Sequence, residues 1–368
     1  MRKIAVINQK GGVGKTTTTV NLGAALASLG RRVLLIDLDP QAHLTMHFGH
    51  EVQQGDPTVY EVLTDRTPIG KTVRSVRDRV ALVPAHTDLA GAEIELVNTV
   101  GREVILREAL EPVGDDHDVM MIDCPPSLSL LTINALAAVD EVLIPLQTHF
   151  LGLQGLGKLL ETMTLVRRRI NPSLTVSGIV LCMYDTGTRL AGEVVADLRG
   201  FLEGCRGQDH VCAETRLFHT KVRRNIKLAE APSFGQTIFD YAPQSNGAID
   251  YLSLAAEVVL DQAVMLDCQA EVPDDPAGGQ EDVKAVVEPV VAHVNSGETE
   301  DVARATEPPP TDETAPTPPA SEPDRTTASA AGSADLPTRA RNGRFTTAKP
   351  ATVEGSAPAT ATDVARPS

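Results

Sequence analysis

A glycine-rich loop directly after a short apolar strand constrains this chain more than any other feature. Residues 4–7 read Ile-Ala-Val-Ile, residues 9–16 read Gln-Lys-Gly-Gly-Val-Gly-Lys-Thr, and an apolar helical pattern follows over 17–29. Glycines let backbone N–H groups close around phosphate oxygens, and the positive end of the next helix stabilises the anion. Lys15 is placed to face the terminal phosphates, and the Thr16 hydroxyl is placed for Mg²⁺. The sequence therefore predicts a nucleoside triphosphate site.

The lysine at position 10 narrows the choice among families that have a phosphate-binding loop. Gln9 stands where G-x-x-x-x-G-K-[ST] has its first glycine, and Lys10 adds a second lysine to the loop. The stretch from Lys10 to Thr16 resembles the deviant Walker A box of the ParA/MinD superfamily of ATPases. Over about residues 1–262, further boxes follow in that superfamily's order, and those at 183–185 and 224–235 are similar to boxes of the chromosomal ParA proteins called Soj. These boxes lie at residues 33–41, 119–127, 144–147, 153–156, 183–185 and 224–235.

The resemblance implies ATP and Mg²⁺ as cofactors and assigns the residues that contact them. The implied nucleotide contacts come from the loop and one later asparagine: Lys10, Gly11, Gly12, Val13, Gly14, Lys15, Thr16, Thr17 and Asn225. The implied Mg²⁺ residues are Thr16, Asp37 and Asp123, and the implied catalytic residues are Lys10, Lys15 and Asp39. Lys10 is expected to reach the phosphates of a partner subunit, with a contact to its own nucleotide as the alternative.

The carboxylates in these boxes follow apolar strands. Asp123 ends an apolar run and is placed to hold Mg²⁺ through a water, a helix N-cap being the alternative. Asp37 and Asp39 project to the same side of an extended segment, so spacing alone does not separate their roles. The resemblance implies that Asp39 orients the attacking water, while Asp37 supports Mg²⁺ or the loop. His43 stands where the family commonly has Asn, and both a site role and an inert loop histidine remain open.

The apolar pattern predicts an α/β fold, namely a doubly wound, mostly parallel P-loop NTPase sheet with helices on both faces. Ligands of such folds bind at the carboxyl ends of the strands. Predicted strands lie near 4–8, 32–37, 80–84, 118–123, 141–146 and 174–183. Predicted helices lie near 16–29, 88–98, 102–111, 128–138, 153–170, 189–203 and 246–262.

Two domains are predicted: a ParA-like ATPase domain over residues 1–265 and an acidic Pro/Ala/Thr-rich tail over 266–368. Residues 268–368 carry 8 basic and 17 acidic side chains, so more than half of the net charge of −16 lies there. Such a composition does not bury enough apolar surface to offset chain entropy. The tail is therefore predicted to be disordered.

Basic side chains outnumber carboxylates between residues 155 and 230. A basic face on an acidic protein suits sequence-independent binding to the DNA backbone. The resemblance implies DNA contacts from Arg189, Arg223, Arg224 and Lys227. Arg189 is displaced by two positions from the arginine of the family box, and an ordinary solvated helix face is the alternative for each residue.

Membrane-spanning runs and paired cysteine motifs are both missing from the sequence, which bears on cellular location and on cysteine chemistry. Met1-Arg2-Lys3 leads directly into the first strand, and no apolar run approaches the ~18 residues of a membrane span, so a cytoplasmic location is expected. Five cysteines without C-x-x-C spacing suggest neither a disulfide framework nor a zinc site. Cys205 and Cys212 are expected in a loop.

The favoured function is that of a ParA/Soj-type partition ATPase. Its ATP-bound homodimer is expected to bind non-specific DNA at the nucleoid, and a ParB/Spo0J-like partner is expected to stimulate hydrolysis. A MinD-type ATPase acting on a protein cargo or a membrane surface is the alternative, although the acidic C-terminus lacks the basic amphipathic helix that membrane binding needs. An iron–sulfur electron carrier is disfavoured because Cys124 has no second cysteine in suitable context.

Overall fold

The computed structural model describes residues 1–114, 116–148, 150–185 and 189–267, and the predicted tail from 268 onwards lies outside them. The described residues form one eight-stranded sheet flanked by helices, which confirms the predicted fold class. The strands are β1 (Arg2–Val6), β2 (Val33–Asp37), β3 (Arg74–Arg77), β4 (Val80–Val83), β5 (Val119–Asp123), β6 (Glu141–Gln147), β7 (Thr175–Tyr184) and β8 (Arg216–Arg223).

The helices cover both faces of the sheet. They are α1 (Lys15–Ser28), α2 (His43–His47), α3 (Val59–Thr64), α4 (Leu89–Glu95), α5 (Ile105–Leu110), α6 (Leu130–Ala138), α7 (Phe150–Arg169), α8 (Arg189–Cys205), α9 (Ile226–Glu230), α10 (Ile238–Tyr241) and α11 (Asn246–Asp267). Within the described ranges, no helix combines the length and the apolar character needed to cross a membrane.

The sheet has the order β3-β4-β2-β5-β1-β6-β7-β8, and every neighbouring pair is parallel except β3 and β4. All six predicted strands are present. The two strands that the sequence did not predict, β3 and β8, lie at the two edges. An edge strand is covered on fewer sides than a central one, so it lacks the continuous apolar run that marks β2 and β5.

Strand β2 shows how the sequence produces two cores. Leu34 and Ile36 pack into the apolar cluster on one face of the sheet, whereas Val33 and Leu35 pack into the cluster on the other. Successive strand side chains point to opposite faces, so a strand buried on both sides must be apolar at every position. The apolar run ends at Asp37, the last residue of β2, which is buried although it is acidic.

Adjacent strands bring the predicted site residues to one edge of the sheet. In the strand register, Asp37 of β2 lies beside Asp123 of β5, and Val6 of β1 lies on the other side of Asp123. The glycine-rich loop follows β1 directly. The loop, the acidic turn after β2 and the end of β5 therefore meet at the carboxyl ends of three neighbouring strands, as expected for an open α/β sheet.

Candidate nucleotide site

The glycine-rich loop connects β1 to α1 in a conformation that depends on its glycines. Gly12 and Gly14 have φ angles of 72° and 96°, a region that residues with a Cβ rarely adopt. Val13 between them is 1% exposed and anchors the loop in the protein, while Gly11 and Gly12 face solvent. The loop therefore presents backbone toward an open cleft. Helix α1 begins immediately afterwards and points its N-terminus at the same space.

Contacts with β6 hold the base of the loop. Asn8 Nδ2 donates to the Pro145 carbonyl at 2.7 Å, and Asn8 Oδ1 accepts the Lys10 N–H at 3.0 Å. Gln147, at the end of β6, donates from Nε2 to the Gly12 carbonyl at 3.0 Å. Its Oε1 lies 3.4 Å from Lys10 Nζ. These bonds fix the loop before any ligand binds.

Thr16 and Asp123 form the centre of the site. The Thr16 hydroxyl donates to Asp123 Oδ2 at 2.7 Å, and the Thr19 hydroxyl, one turn later on α1, lies 3.4 Å from Oδ1. Thr19 also donates to the Lys15 carbonyl at 3.1 Å. Thr19 is not among the predicted site residues, although its i, i+3 relation to Thr16 places both on one helix face.

The charges of this cluster lie in a buried environment. Burial, reinforced by the nearby charge of Asp37, raises the pKa of Asp123 to about 8. Burial also raises the pKa of Asp37 to about 6. The pKa of Lys15, which is 7% exposed, is lowered by burial and raised again by Asp123 and Asp39. The protein alone therefore does not fully stabilise these charges, whereas bound ions of opposite sign would.

The structure separates Asp37 from Asp39. Asp37 Oδ2 accepts the backbone N–H and the hydroxyl of Thr45 at 2.8 and 2.7 Å, and Oδ1 accepts the Asp39 N–H at 3.2 Å. Asp39 Oδ1 accepts the Gln41 N–H at 2.9 Å, and its Oδ2 accepts no bond from the described residues. Asp39 lines the cleft, whereas Asp37 is 0% exposed and does not. Asp37 thus braces the turn, while Asp39 offers an oxygen to the cleft.

The cleft beside the loop has a volume of about 640 Å³. It is lined by loop, helix and turn residues from distant parts of the sequence: Gly11, Gly12, Gly14, Lys15, Thr16, Thr17, Asp39, Gln41, His43, Met46, His47, Pro126, Met183, Pro232 and Ser233. His43 is exposed at the start of α2 and therefore stands at the cleft, where a site role is sterically open. Lys15 lines this cleft, but Lys10 does not.

A second, mostly apolar pocket of about 280 Å³ adjoins the cleft and shares Gly14, Thr17 and Met183 with it. Asn225 lies in this pocket and N-caps α9, its Oδ1 accepting the Lys227 N–H at 2.9 Å. Tyr251 also lines this pocket. A phosphate cleft joined to an apolar pocket matches the two chemical parts of a nucleotide.

The predicted DNA-binding residues differ in their surroundings. Arg223 is held by Asp250, which has an 8% exposed side chain, at 2.6 Å, and Lys227 pairs with Glu230 at 2.9 Å. Arg224 is exposed and has no carboxylate partner among the described residues. Arg189 is the first residue of α8, and its side chain lies outside the described atoms. No sequence pattern indicates the Arg223–Asp250 pair, because its members are 27 residues apart.

Comparisons with known proteins identify the family. A family model described as an AAA domain matches residues 1–176. The sporulation initiation inhibitor protein Soj of Bacillus subtilis is 45% identical over 256 residues, which cover 69% of this chain and 97% of Soj. The chain belongs to the ParA/Soj family of chromosome-partitioning ATPases. The chromosome partitioning protein ParA of Myxococcus xanthus is 44% identical over 259 residues, with 70% of this chain and 88% of that protein covered.

Solved structures agree with the ParA/Soj fold. Cobyrinic acid a,c-diamide synthase from Mycobacterium smegmatis, in its crystal structure with bound ADP and magnesium, is 35% identical, with a TM-score of 0.60, 72% of this chain covered and 96% of that chain. MinD from Pyrococcus horikoshii, complexed with Mg-ADP, has a TM-score of 0.53 at 24% identity, covering 70% of this chain and 95% of its own. The second likeness shows the shared fold alone.

Proposed function

We propose that this chain is an ATP-dependent DNA-partitioning ATPase. Its ATP-bound homodimer binds DNA without sequence preference, and a ParB/Spo0J-like partner stimulates hydrolysis, so that cycles of binding and release drive chromosome or plasmid segregation on the nucleoid. The observation that carries the hydrolase assignment is the cleft that both Lys15 and Asp39 line, beside the Thr16–Asp123 pair. Family membership supports the partition assignment.

The residues present fit a nucleotide with Mg²⁺. Hydroxyl and carboxylate oxygens such as those of Thr16 and Asp123 are the donors that Mg²⁺ prefers, directly or through water. Asp123 is fully buried with a raised pKa, so a divalent cation there would favour its ionised form. Bound Mg²⁺ neutralises charge that develops on the phosphoryl group. Lys15, whose pKa burial lowers, gains a matching anion when phosphates occupy the loop.

Asp39 is proposed to orient the attacking water. One of its oxygens is fixed by the Gln41 N–H, which sets the carboxylate plane, and the other has no protein partner in the described residues. Asp37 is proposed to support the loop, since its oxygens bind Thr45 and the Asp39 backbone. This favours the loop-supporting alternative for Asp37 over direct contact with Mg²⁺.

Lys10 is proposed to act on the nucleotide of the partner subunit. It is exposed on the loop and does not line the cleft of its own subunit, and its ammonium group lies 3.4 Å from the side-chain oxygen of Gln147. A cation delivered across a dimer interface stabilises developing charge as an arginine finger does. Such an arrangement makes hydrolysis depend on the ATP-bound dimer.

Asn225 is proposed to contact the base in the adjoining pocket. Its Oδ1 is used by the helix cap, so its Nδ2 remains available as a hydrogen-bond donor. Because α9 follows Arg224 and Asn225 directly, occupancy of this pocket also fixes the neighbouring basic residues. This connection offers a route from bound nucleotide to DNA affinity.

The proposal is tested by a binding titration of the full chain with ATP, ADP or no nucleotide. One arm contains labelled random-sequence DNA duplexes, and a parallel arm contains anionic phospholipid vesicles. We expect tight DNA binding with ATP alone, because two weak patches on one dimer act together whereas one patch on a monomer binds weakly. Equal DNA binding with ADP would contradict the proposal. ATP-dependent binding to vesicles instead of DNA would favour the MinD-type alternative.

A further inference from the structure

Three side chains of the types that bind transition metals meet at the opposite end of the sheet from the nucleotide cleft. Cys205 is the last residue of α8, so the prediction that it lies in a loop is wrong. His210 and Cys212 lie in the connection between α8 and β8. The two Sγ atoms and a ring nitrogen all lie within 4.8 Å of one another. Cys205 is 8% exposed and Cys212 is 1% exposed. The cluster is therefore largely shielded from solvent.

The spacing of the three donor atoms is close to that of a metal site. Zinc binds sulfur at about 2.3 Å and imidazole nitrogen at about 2.0–2.1 Å in tetrahedral geometry, which separates ligand atoms by roughly 3.5–3.8 Å. The donor atoms here lie at most 4.8 Å apart, so each pair needs a shift of about 1.3 Å or less to reach that separation. Side-chain rotation of that size would close the site without a change in the backbone path.

Hydrogen bonds set the tautomer of His210 that a metal requires. The Thr164 hydroxyl donates to the Leu160 carbonyl at 2.8 Å, so its oxygen is free to accept the His210 Nε2–H at 3.4 Å. His210 Nδ1 lies 2.8 Å from Cys212 Sγ and accepts the Cys212 N–H at 3.3 Å. Nδ1 therefore carries its single lone pair on the side of Cys212, where a bound cation would replace the Cys212 N–H as its partner. A partner on the second ring nitrogen is a regular feature of metal-binding histidines.

The backbone around the cluster is held independently of any metal. The Gln208 N–H donates to the Cys205 carbonyl at 3.2 Å, and the His210 N–H donates to the Gln208 carbonyl at 2.8 Å. The Val176 N–H, at the start of β7, donates to the Val211 carbonyl at 3.0 Å. The short segment from Cys205 to Cys212 is thus fastened to the amino end of β7. A preformed frame of this kind lowers the entropy cost of binding an ion.

We propose that Cys205, His210 and Cys212 bind one thiophilic divalent cation, Zn²⁺ by preference, with water in the fourth position. Two sulfurs and an imidazole select Zn²⁺ over Mg²⁺, which prefers oxygen. The ion joins the end of α8 to the entry of β8 and, through Thr164, to α7. Its role is to stabilise this end of the domain. Sequence spacing missed the site because the chain has no C-x-x-C pair, and only the fold brings the donors together.

The test is a titration of reduced, metal-free full-length chain with Co²⁺ in the absence of nucleotide and Mg²⁺. We expect thiolate-to-cobalt charge-transfer absorption and the visible bands of tetrahedral cobalt, saturating at one ion per chain and abolished when Zn²⁺ is added. The nucleotide cleft offers oxygen donors, so Co²⁺ bound there gives no thiolate band. Zn²⁺ should also raise the thermal midpoint.

Variants separate this site from other thiols. The double variant Cys205→Ser with Cys212→Ser should abolish the band, whereas the matched control Cys268→Ser should retain it. Circular dichroism checks that the double variant is folded, and His210→Asn against the exposed His219→Asn gives a second comparison if it is not. Thr164→Val should weaken Zn²⁺ binding about tenfold while the bands persist.

Three results would overturn the proposal. They are the absence of a thiolate band in the wild-type chain, a band that survives in the double variant, and a Cys205–Cys212 disulfide in protein purified without reductant. The last would assign the pair to redox chemistry instead.

Discussion

Two regions of the molecule hold charge in opposite ways. In the carboxyl-end cluster, defined by Lys15, Thr16, Asp37, Asp39 and Asp123, charges are buried, and the carboxylates of Asp37 and Asp123 each accept a bond of 2.7 Å. In the basic segment, residues 216–230, charged side chains are mostly exposed or half-buried. A buried charge has few possible partners, so its surroundings indicate its role. An exposed charge exchanges partners with solvent ions and contributes mainly to the total field.

The basic segment also contains side chains that depart from this pattern, and Arg223 is one of them. The Arg223 guanidinium binds buried Asp250 through Nε and Nη2 at distances down to 2.6 Å, whereas Arg224 is exposed to solvent. Removing Arg223 would leave a buried carboxylate without its partner and destabilise the fold. Replacing Arg224 leaves no buried carboxylate without its partner, so Arg224 is the better position at which to test DNA binding. The contrast between buried and exposed charge can be tested by substitution.

Lys15→Ala should weaken ATP binding by roughly 10²-fold or more, because a buried cation that pairs with phosphates is worth several kcal/mol. Lys71→Ala removes an exposed lysine just before the edge strand β3, and it should leave the Kd for ATP unchanged. Isothermal titration of both variants provides the comparison. If both variants bound ATP like wild type, the phosphate-loop assignment of Lys15 would be wrong.

His47 should make the fold sensitive to acid. Burial lowers its pKa from 6.5 to about 4, and its Nε2 has no hydrogen-bond partner among the described residues. The folded state keeps His47 uncharged, whereas the unfolded state protonates it below pH 6.5. The contribution of His47 to stability is therefore complete above pH 6.5 and is lost as the pH falls toward 4. The shift corresponds to about 3 kcal/mol of unfolding free energy.

The contribution of His47 to the pH dependence of stability can be isolated by substitution. Denaturant unfolding of His47→Gln between pH 7 and 4 should lose less stability than wild type, while the exposed His43→Gln on the same helix behaves like wild type. Asp37 and Asp123 have raised pKa values and favour the opposite trend, but they are common to all three proteins. Identical pH profiles for His47→Gln and wild type would remove His47 as the acid-sensitive group.

Asp39→Ala should bind ATP and Mg²⁺ normally, hydrolyse ATP on the order of 10²-fold more slowly and accumulate as the dimer. The reason is loss of the oxygen that faces the cleft while Asp37 continues to hold the turn. Asp78→Ala, whose side chain is 94% exposed, is the matched control and should keep wild-type turnover. Phosphate release in single-turnover assays measures the effect, and normal turnover in Asp39→Ala would transfer the role to another residue.

Truncation after Asp267 should have the smallest effect. The sequence predicts that residues 266–368 add no apolar core to the domain at 1–265, so ATP turnover and the thermal midpoint should remain nearly unchanged. Calorimetry of the truncated and full chains makes the comparison. A large fall in the midpoint would mean that the tail stabilises the folded domain.

One short segment carries the whole sequence signal for the proposed phosphate site. The strand, loop and helix around Gly14 and Lys15 are contiguous, and their order alone predicts a phosphate site. Asp37 and Asp39 were inseparable because alternate positions share a side of an extended segment. Only the contact with Thr45, eight residues further along from Asp37, distinguishes them.

Features that depend on distant residues were not predictable. The edge strands β3 and β8 lack the apolar run of central strands, and the partner of Arg223 lies 27 residues away. The Cys205, His210 and Cys212 cluster exists because the loop is fastened to β7 and not because of a recognisable spacing. Sequence patterns report local geometry, whereas pairing across the fold needs the structure.

We propose that nucleotide bound at the carboxyl-end cluster controls DNA binding by exposed charge in the basic segment. The most direct test measures DNA affinity against salt concentration for wild type, Arg224→Ala and Lys71→Ala, each with ATP and with ADP. We predict ATP-dependent binding in wild type and Lys71→Ala. In Arg224→Ala, the slope of log K against log salt should be flatter by about 0.9 for each phosphate that the arginine neutralises, with ATP affinity intact. An unchanged slope in Arg224→Ala, or binding that is equal with ADP, would contradict the claim.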